Sequence, residues 1–112
     1  MEDKYPRIAL QGIDGLMFIH KQEILYATAD GNYTHVYLTK NRYVKVPRKL
    51  KEVSQLLSDD VFIRIHRSHF INLEHVIKYS GGINSEVLMS NDTVLPVSRN
   101  RKAYFIEKFT RI

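Results

Sequence analysis

Apolar and polar positions alternate with a period of two over most of the chain, in short runs separated by turn-forming residues. Residues 7–11 carry Ile8 and Leu10, and Gly12-Ile13-Asp14-Gly15 reads as a turn into a second run at 16–19. Further strands are predicted over 24–28 and 34–39, split by Asp30-Gly31-Asn32, and over 43–46, 61–66, 70–73, 75–79, 86–89 and 93–97. Gly81-Gly82 and Asn91-Asp92 mark turns between the later runs, the spacing of an antiparallel meander. Two segments switch to a helical period. After Pro47, the positions Leu50, Val53, Leu56 and Leu57 predict a helix over about 48–57. After Ser98, a candidate N-cap, the stripe Phe105, Ile106, Phe109 and Ile112 predicts another over about 99–111. The expected fold class is mainly β with two short helices.

Composition narrows the field. With 112 residues, 44% hydrophobic and 26% charged, the chain suits one folded domain over 1–112, with residues 1–6 as a flexible lead. It has no Cys, which removes disulfides, thiol catalysis and cysteine-based zinc modules. No apolar run approaches the roughly 18 residues that span a bilayer. The start, Met1-Glu2-Asp3-Lys4, lacks a secretory apolar core, so a cytoplasmic protein is expected, without a membrane partner.

Charge adds a direction. Lys plus Arg number 17 against 12 Asp plus Glu, a net charge of +5. Six of the bases (Lys40, Arg42, Lys45, Arg48, Lys49, Lys51) fall in one acid-free stretch, and Arg99, Arg101 and Lys102 form a second group. Segregated positive charge suits a polyanion, nucleic acid before an anionic membrane, although bases also simply solvate surfaces.

Three places break local rules. Basic residues are disfavoured at a helix N-terminus, yet both predicted helices open with them, at Arg48, Lys49 and Lys51 and at Arg99, Arg101 and Lys102. A bound phosphate would explain the second and, less clearly, the first. Next, Ile65-His66-Arg67-Ser68-His69-Phe70 sets four polar side chains between apolar strand residues, as at a turn or exposed strand end. There Arg67 can read guanine, Ser68 can bond a phosphate, and His66 or His69 can do either. Last, Asn32 at a loop tip can read adenine and Tyr33 can contact the sugar-phosphate backbone, though an ordinary turn also accounts for both.

Chemistry of other kinds finds little support. Five His are present, but no HExxH and no Cys complete a metal set, so no metal and no cofactor are expected. Ser68 and His66 could join an acid on paper, yet no G-x-S-x-G elbow, P-loop or GxGxxG appears, so neither an enzyme nor a small-molecule substrate is expected. An alternative is a basic β-module binding RNA or a protein partner without DNA sequence specificity, with Tyr33, Tyr37, Tyr43 and Tyr79 as candidate stacking faces.

Four ordered blocks carry a family resemblance: residues 23–33 (Glu-Ile-Leu-Tyr-Ala-Thr-Ala-Asp-Gly-Asn-Tyr), 50–53 (Leu-Lys-Glu-Val), 62–72 (Phe-Ile-Arg-Ile-His-Arg-Ser-His-Phe-Ile-Asn) and 95–99 (Leu-Pro-Val-Ser-Arg). From about Ile8 to its end the chain resembles the LytTR family of bacterial DNA-binding domains, most specifically in its His-Arg-Ser and Pro-Val-Ser-Arg blocks. The resemblance implies about ten short, mostly antiparallel strands in three small packed sheets, and loops entering two successive major grooves of double-stranded DNA. It implies sequence-specific binding by a transcriptional regulator, on repeated sites and as a possible homodimer. Carried over by position, Asn32, Arg67 and Arg99 become base-contacting residues. Tyr33, His66, Ser68, Ser98, Arg101, Lys102, Arg48 and Lys49 become backbone contacts. Members commonly carry an N-terminal receiver domain; the short lead here leaves no room for one, so an excised output domain or a stand-alone regulator is expected.

Overall fold

A computed structural model describes residues 5–112; of the expected lead over 1–6, residues 1–4 lie outside the described residues, and Tyr5 and Pro6 are exposed. Ten strands are present among the described residues: β1 (Ile8–Gly12), β2 (Gly15–Ile19), β3 (Ile24–Asp30), β4 (Tyr33–Leu38), β5 (Arg42–Val46), β6 (Phe62–His66), β7 (His69–Asn72), β8 (Val76–Ser80), β9 (Glu86–Met89) and β10 (Val94–Pro96). They form a five-stranded sheet in the order β5-β4-β3-β7-β6, a three-stranded sheet β10-β9-β8 and the hairpin β1-β2. Every pairing is antiparallel.

The five-stranded sheet is covered on both faces around its central strand, while β4 and β5 leave one face partly open. Along β3 the residues 24–27 are buried without alternation because each face meets a core, and a register shift between Ile24 and Tyr26 sets which side chains enter which. Ile24 and Ala27 join one core, with Leu10 and Ile19 of the hairpin and Val36, Val44 and Val46. Leu25 and Tyr26 join the other, with Ile63, Ile65 and Ile71 and with Val87, Met89 and Leu95 of the small sheet. Gly12 sits where the hairpin meets β5: a Cβ there would lie 2.8 Å from Val44 Cγ1. Beside it the Ile13 N–H donates to the Lys45 carbonyl at 3.1 Å.

Both helices are shorter than the periodicity predicts. The first, α1, spans Leu50–Leu56, and Leu50, Val53 and Leu57 bury its apolar stripe in the first core while Leu56 stays 70% exposed. Its first turn is not acid-free in effect, because Glu52 Oε1 accepts the Lys49 backbone N–H at 3.4 Å and Glu52 also meets Arg48 at 3.3 Å. In place of a helix over 99–111 there is a 3-10 turn at Arg99–Arg101 followed by α2, only Lys102–Ile106. Of the expected stripe only Phe105 is fully buried; Phe109 lies edge-on against it but stays 43% exposed, and Ile112 is fully exposed, so little burial supports a longer helix. Ser98 does occupy the N-cap position, but its side chain makes no capping hydrogen bond.

Asn72 is one of two buried polar residues among the described ones. Its Nδ2 donates to the Ile24 carbonyl and its Oδ1 accepts the Glu74 N–H, both at 2.9 Å, tying the end of β7 to the start of β3.

Candidate nucleic-acid interface

The antiparallel order of the large sheet gathers the marked segments at one end. There β3 ends and β4 begins, β6 ends and β7 begins, and β5 runs into Arg48 and Lys49. The β3–β4 connection is a two-residue turn: Asp30 pairs with Tyr33, and Gly31 takes φ 60° while Asn32 does not need a positive φ. Gly at the first central position is what a type II′ hairpin requires, and it leaves Asn32 exposed at the tip. Tyr33 is 40% exposed, and Lys45 Nζ from β5 lies 4.5 Å above its ring. The acid beside this tip is engaged: His35 Nε2 meets Asp30 Oδ2 at 2.8 Å, and His35 Nδ1 meets the Tyr43 hydroxyl. That hydrogen bond engages the carboxylate nearest the tip.

The β6–β7 turn is built around His66 and Arg64. Ser68 donates its backbone N–H to His66 Nδ1 at 3.1 Å, and Arg64 Nε donates to the His66 carbonyl at 3.0 Å. A terminal nitrogen of Arg64 donates to the Arg67 carbonyl. The turn is bound to the neighbouring hairpin by Ala29 N–H donating to the Ser68 carbonyl at 2.9 Å, and by Thr28 Oγ1 and His69 Nδ1 at 3.1 Å. Arg67 itself is exposed. Because Nδ1 of His66 takes the Ser68 backbone N–H, that nitrogen is not free to act as a base on the Ser68 hydroxyl. No group of three His, Asp or Glu side chains gathers at metal-binding distance among the described residues.

The segment after β10 docks onto the same turn. Ser98 donates its N–H to the Ile65 carbonyl at 2.8 Å, and Arg101 donates its own to Ser98 at 3.0 Å. The Arg101 guanidinium reaches the Arg64 carbonyl at 3.5 Å and is therefore partly turned inward, whereas Arg99 is exposed and Lys102 half-buried. On the other flank, Thr34 Oγ1 donates to the Arg48 carbonyl at 2.7 Å and fixes the chain as it leaves β5.

Three arginines converge on His66, and its pKa responds. Burial first, then Arg67, Arg101 and Arg64, hold it below the ordinary histidine value. His69, packed against it with ring centroids 5.2 Å apart, is pushed down to about 4, mainly by burial and then by His66. Both imidazoles are uncharged at neutral pH, so the positive potential at this end comes from Lys and Arg.

The tyrosines divide. Tyr37 packs on Tyr26 with centroids 4.8 Å apart, and Tyr79 on Phe105 at 5.7 Å with its hydroxyl on Ser85. Tyr33 and Tyr43 are exposed, but one lies under Lys45 and the other stacks on His35, which leaves no row of free aromatic faces for splayed bases. The sequence alone marks Lys45 only as part of the basic stretch and does not single out Arg64 at this end. The signal for Arg64 was available: one charge inside the apolar run Phe-Ile-Arg-Ile.

Among the described residues no helix is long and apolar enough to cross a membrane. Residues 14–110 match the family model described as the LytTr DNA-binding domain. The chain is 26% identical over 95 residues to the heme-containing CO-sensing transcriptional regulator RcoM 1 of Paraburkholderia xenovorans (strain LB400), covering 82% of this chain and 35% of that protein. It is 27% identical over 95 residues to the sensory transduction protein LytT of Bacillus subtilis (strain 168), covering 83% and 39%. The chain thus spans well under half the length of these relatives. Among solved structures it is similar to the LytTr DNA-binding domain of a putative methyl-accepting/DNA response regulator from Bacillus cereus, with TM-score 0.78 and 25% identity, covering 94% of this chain and 97% of that one.

Proposed function

Because the chain belongs to the LytTR family of DNA-binding domains, we propose that it binds double-stranded DNA with sequence specificity, as the DNA-reading part of a bacterial transcriptional regulator. Recognition comes from turns projecting from one end of a β-sheet. Asn32, Arg67 and Arg99 read base edges in the major groove, where Asn suits adenine and Arg suits guanine. Tyr33, His66, Ser68, Ser98, Arg101, Lys102, Arg48 and Lys49 engage sugar and phosphate, which sets register and supplies salt-dependent affinity. In the regulator, copies of the domain occupy repeated sites, pairing as a homodimer on DNA.

The observation that carries this reading is the bonded continuity of the three turns. Ala29 to Ser68 and Ser98 to Ile65 join the hairpin carrying Asn32, the turn carrying Arg67 and the segment carrying Arg99 into one rigid end. Side chains held on a common frame can meet a fixed spacing of base edges, whereas independent loops would lose freedom on binding.

The test compares affinity for a preferred duplex and a scrambled one. Arg67→Ala and Arg99→Ala are expected to lose about 1–3 kcal/mol on the preferred duplex and little on the scrambled one. Unchanged preference in both variants would remove base reading from these arginines. Binding of single-stranded RNA more tightly than any duplex would replace the reading by the RNA alternative.

A further inference from the structure

Strand β6 places one charge among apolar neighbours. Phe62, Ile63 and Ile65 are buried, and Arg64 between them is half-buried. Removing a guanidinium from water is costly unless its donors are taken. Among the described residues no carboxylate pairs with Arg64. Its acceptors are the backbone carbonyls of His66 and Arg67, the two residues that lead into the β6–β7 turn. The side chain therefore spans the place where the β6–β7 register shifts, between Arg64 and His66, and where regular ladder pairing lapses. From the other side, the carbonyl of Arg64 accepts from Arg101. Burial and the nearby Arg101 both disfavour the charged form of Arg64, so the cluster is held together against its own repulsion.

We propose that Arg64 is a positioning residue for DNA recognition: its planar fork grips the carbonyls of His66 and Arg67, so that the Arg67 side chain projects from the turn in a single orientation. This rests on the reading of Arg67 as a base-contacting residue. Arg64 points inward along the turn and does not itself neutralise a phosphate. A lysine has the charge but presents no planar fork to two carbonyls, so it is a partial substitute at most. Through its carbonyl, Arg64 also couples the Arg67 turn to the segment bearing Arg99 and Arg101, so both readers share one support.

The experiment measures discrimination, the affinity ratio between a preferred duplex and its scrambled counterpart, at two salt concentrations. It uses Arg64→Met, Arg64→Lys, Arg67→Ala and the double variant Arg64→Met/Arg67→Ala, with folding followed by thermal unfolding. Arg64→Met is expected to lower discrimination about tenfold, the equivalent of about 1.4 kcal/mol, with the salt slope of the scrambled duplex unchanged. Arg64→Lys should fall between it and the wild type. The double variant should discriminate no worse than Arg67→Ala alone, because Arg64 acts through Arg67. Should Arg64→Met fail to fold, Arg64→Lys decides by the same ratio. Wild-type discrimination in the folded Arg64 variants, while Arg67→Ala loses it, overturns this proposal and leaves base reading by Arg67 intact. A salt slope reduced by about one in Arg64→Met also overturns it, since Arg64 would then be meeting a phosphate. Wild-type discrimination in Arg67→Ala overturns the underlying reading and this proposal together.

Discussion

Replacing Asn72 with alanine removes two hydrogen bonds from a side chain that is 1% exposed. The Glu74 N–H lies at a surface turn and can take water, so its loss is worth about 1 kcal/mol. The Ile24 carbonyl belongs to a fully buried residue and loses a partner that no water replaces, adding about 1–2 kcal/mol. Together these give a destabilisation of about 2–3 kcal/mol. At about 4 °C per kcal/mol for a domain of this size, the Tm should fall by about 8–12 °C. Asn72→Asp sharpens the test, because a carboxylate at neutral pH faces the Ile24 carbonyl with no proton to give. Once protonated, its O–H can donate to that carbonyl. The folded state then holds the proton more tightly than the unfolded chain, and the stability lost in this variant should shrink as pH falls toward 4. Thermal unfolding followed by circular dichroism at pH 7 and pH 4.5 measures both effects. A drop under about 2 °C for Asn72→Ala would refute the reasoning, because the buried Ile24 carbonyl cannot lose its partner at so small a cost. Below its Tm the alanine variant should still discriminate DNA sites as the wild type does, since Asn72 has no exposed surface with which to touch DNA.

Three further outcomes are expected. Lys102→Ala should weaken binding to preferred and scrambled duplexes alike and lower the salt slope by about one, measured by titration at several salt concentrations; a sequence-dependent loss would make Lys102 a base reader instead. The depressed pKa of His69, about 4 against an ordinary 6.5, means that its stabilising neutral form is fully present above pH 6.5 and is lost as pH falls toward 4. His69→Gln should therefore flatten the acid side of the stability–pH curve, and an unchanged acid slope would assign that slope to other groups. Gly12→Ala should cost about 1–3 kcal/mol, read from the denaturant midpoint, because its methyl would press on Val44 Cγ1 and lift the N-terminal hairpin from β5. A neutral result would mean that the hairpin rides freely on the sheet edge.

How much was legible in the sequence depends on whether the cause was local. Strand positions were, because the two-residue alternation of β4 and β5 reports directly which side chains face the core. The Asp30-Gly31-Asn32 turn was too, since a positive φ at Gly31 has a clear chemical signature. The length of the second helix was not: the stripe reached Ile112, but whether another layer covers Phe109 and Ile112 is a tertiary fact. The basic opening of the first helix left an anion site and plain surface charge both open, and it does not reveal that Glu52 meets Arg48 and the Lys49 N–H. Asn72 was recognised only as the last residue of a motif; its purpose depends on Ile24, far away in the chain. Of the candidate interface, Arg67 stood out because polar residues interrupt an apolar run, Asn32 as a loop tip and Arg99 as a basic residue at a helix start, while their assignment as base readers came from the family resemblance. That Asn32 and Arg67 share one end follows from the strand order β5-β4-β3-β7-β6, and that Arg99 joins them follows from the Ser98 N–H on the Ile65 carbonyl; no local pattern encodes either.

Sequence-specific reading of double-stranded DNA is tested most directly by selecting bound duplexes from a random pool and titrating the recovered sites against scrambled duplex at two salt concentrations. The account predicts enrichment of a short repeated motif whose advantage over scrambled DNA survives at the higher salt, and whose guanine and adenine positions lose their advantage in Arg67→Ala, Arg99→Ala or Asn32→Ala. Binding to every duplex with equal affinity and a steep salt dependence, with no motif recovered, would contradict it.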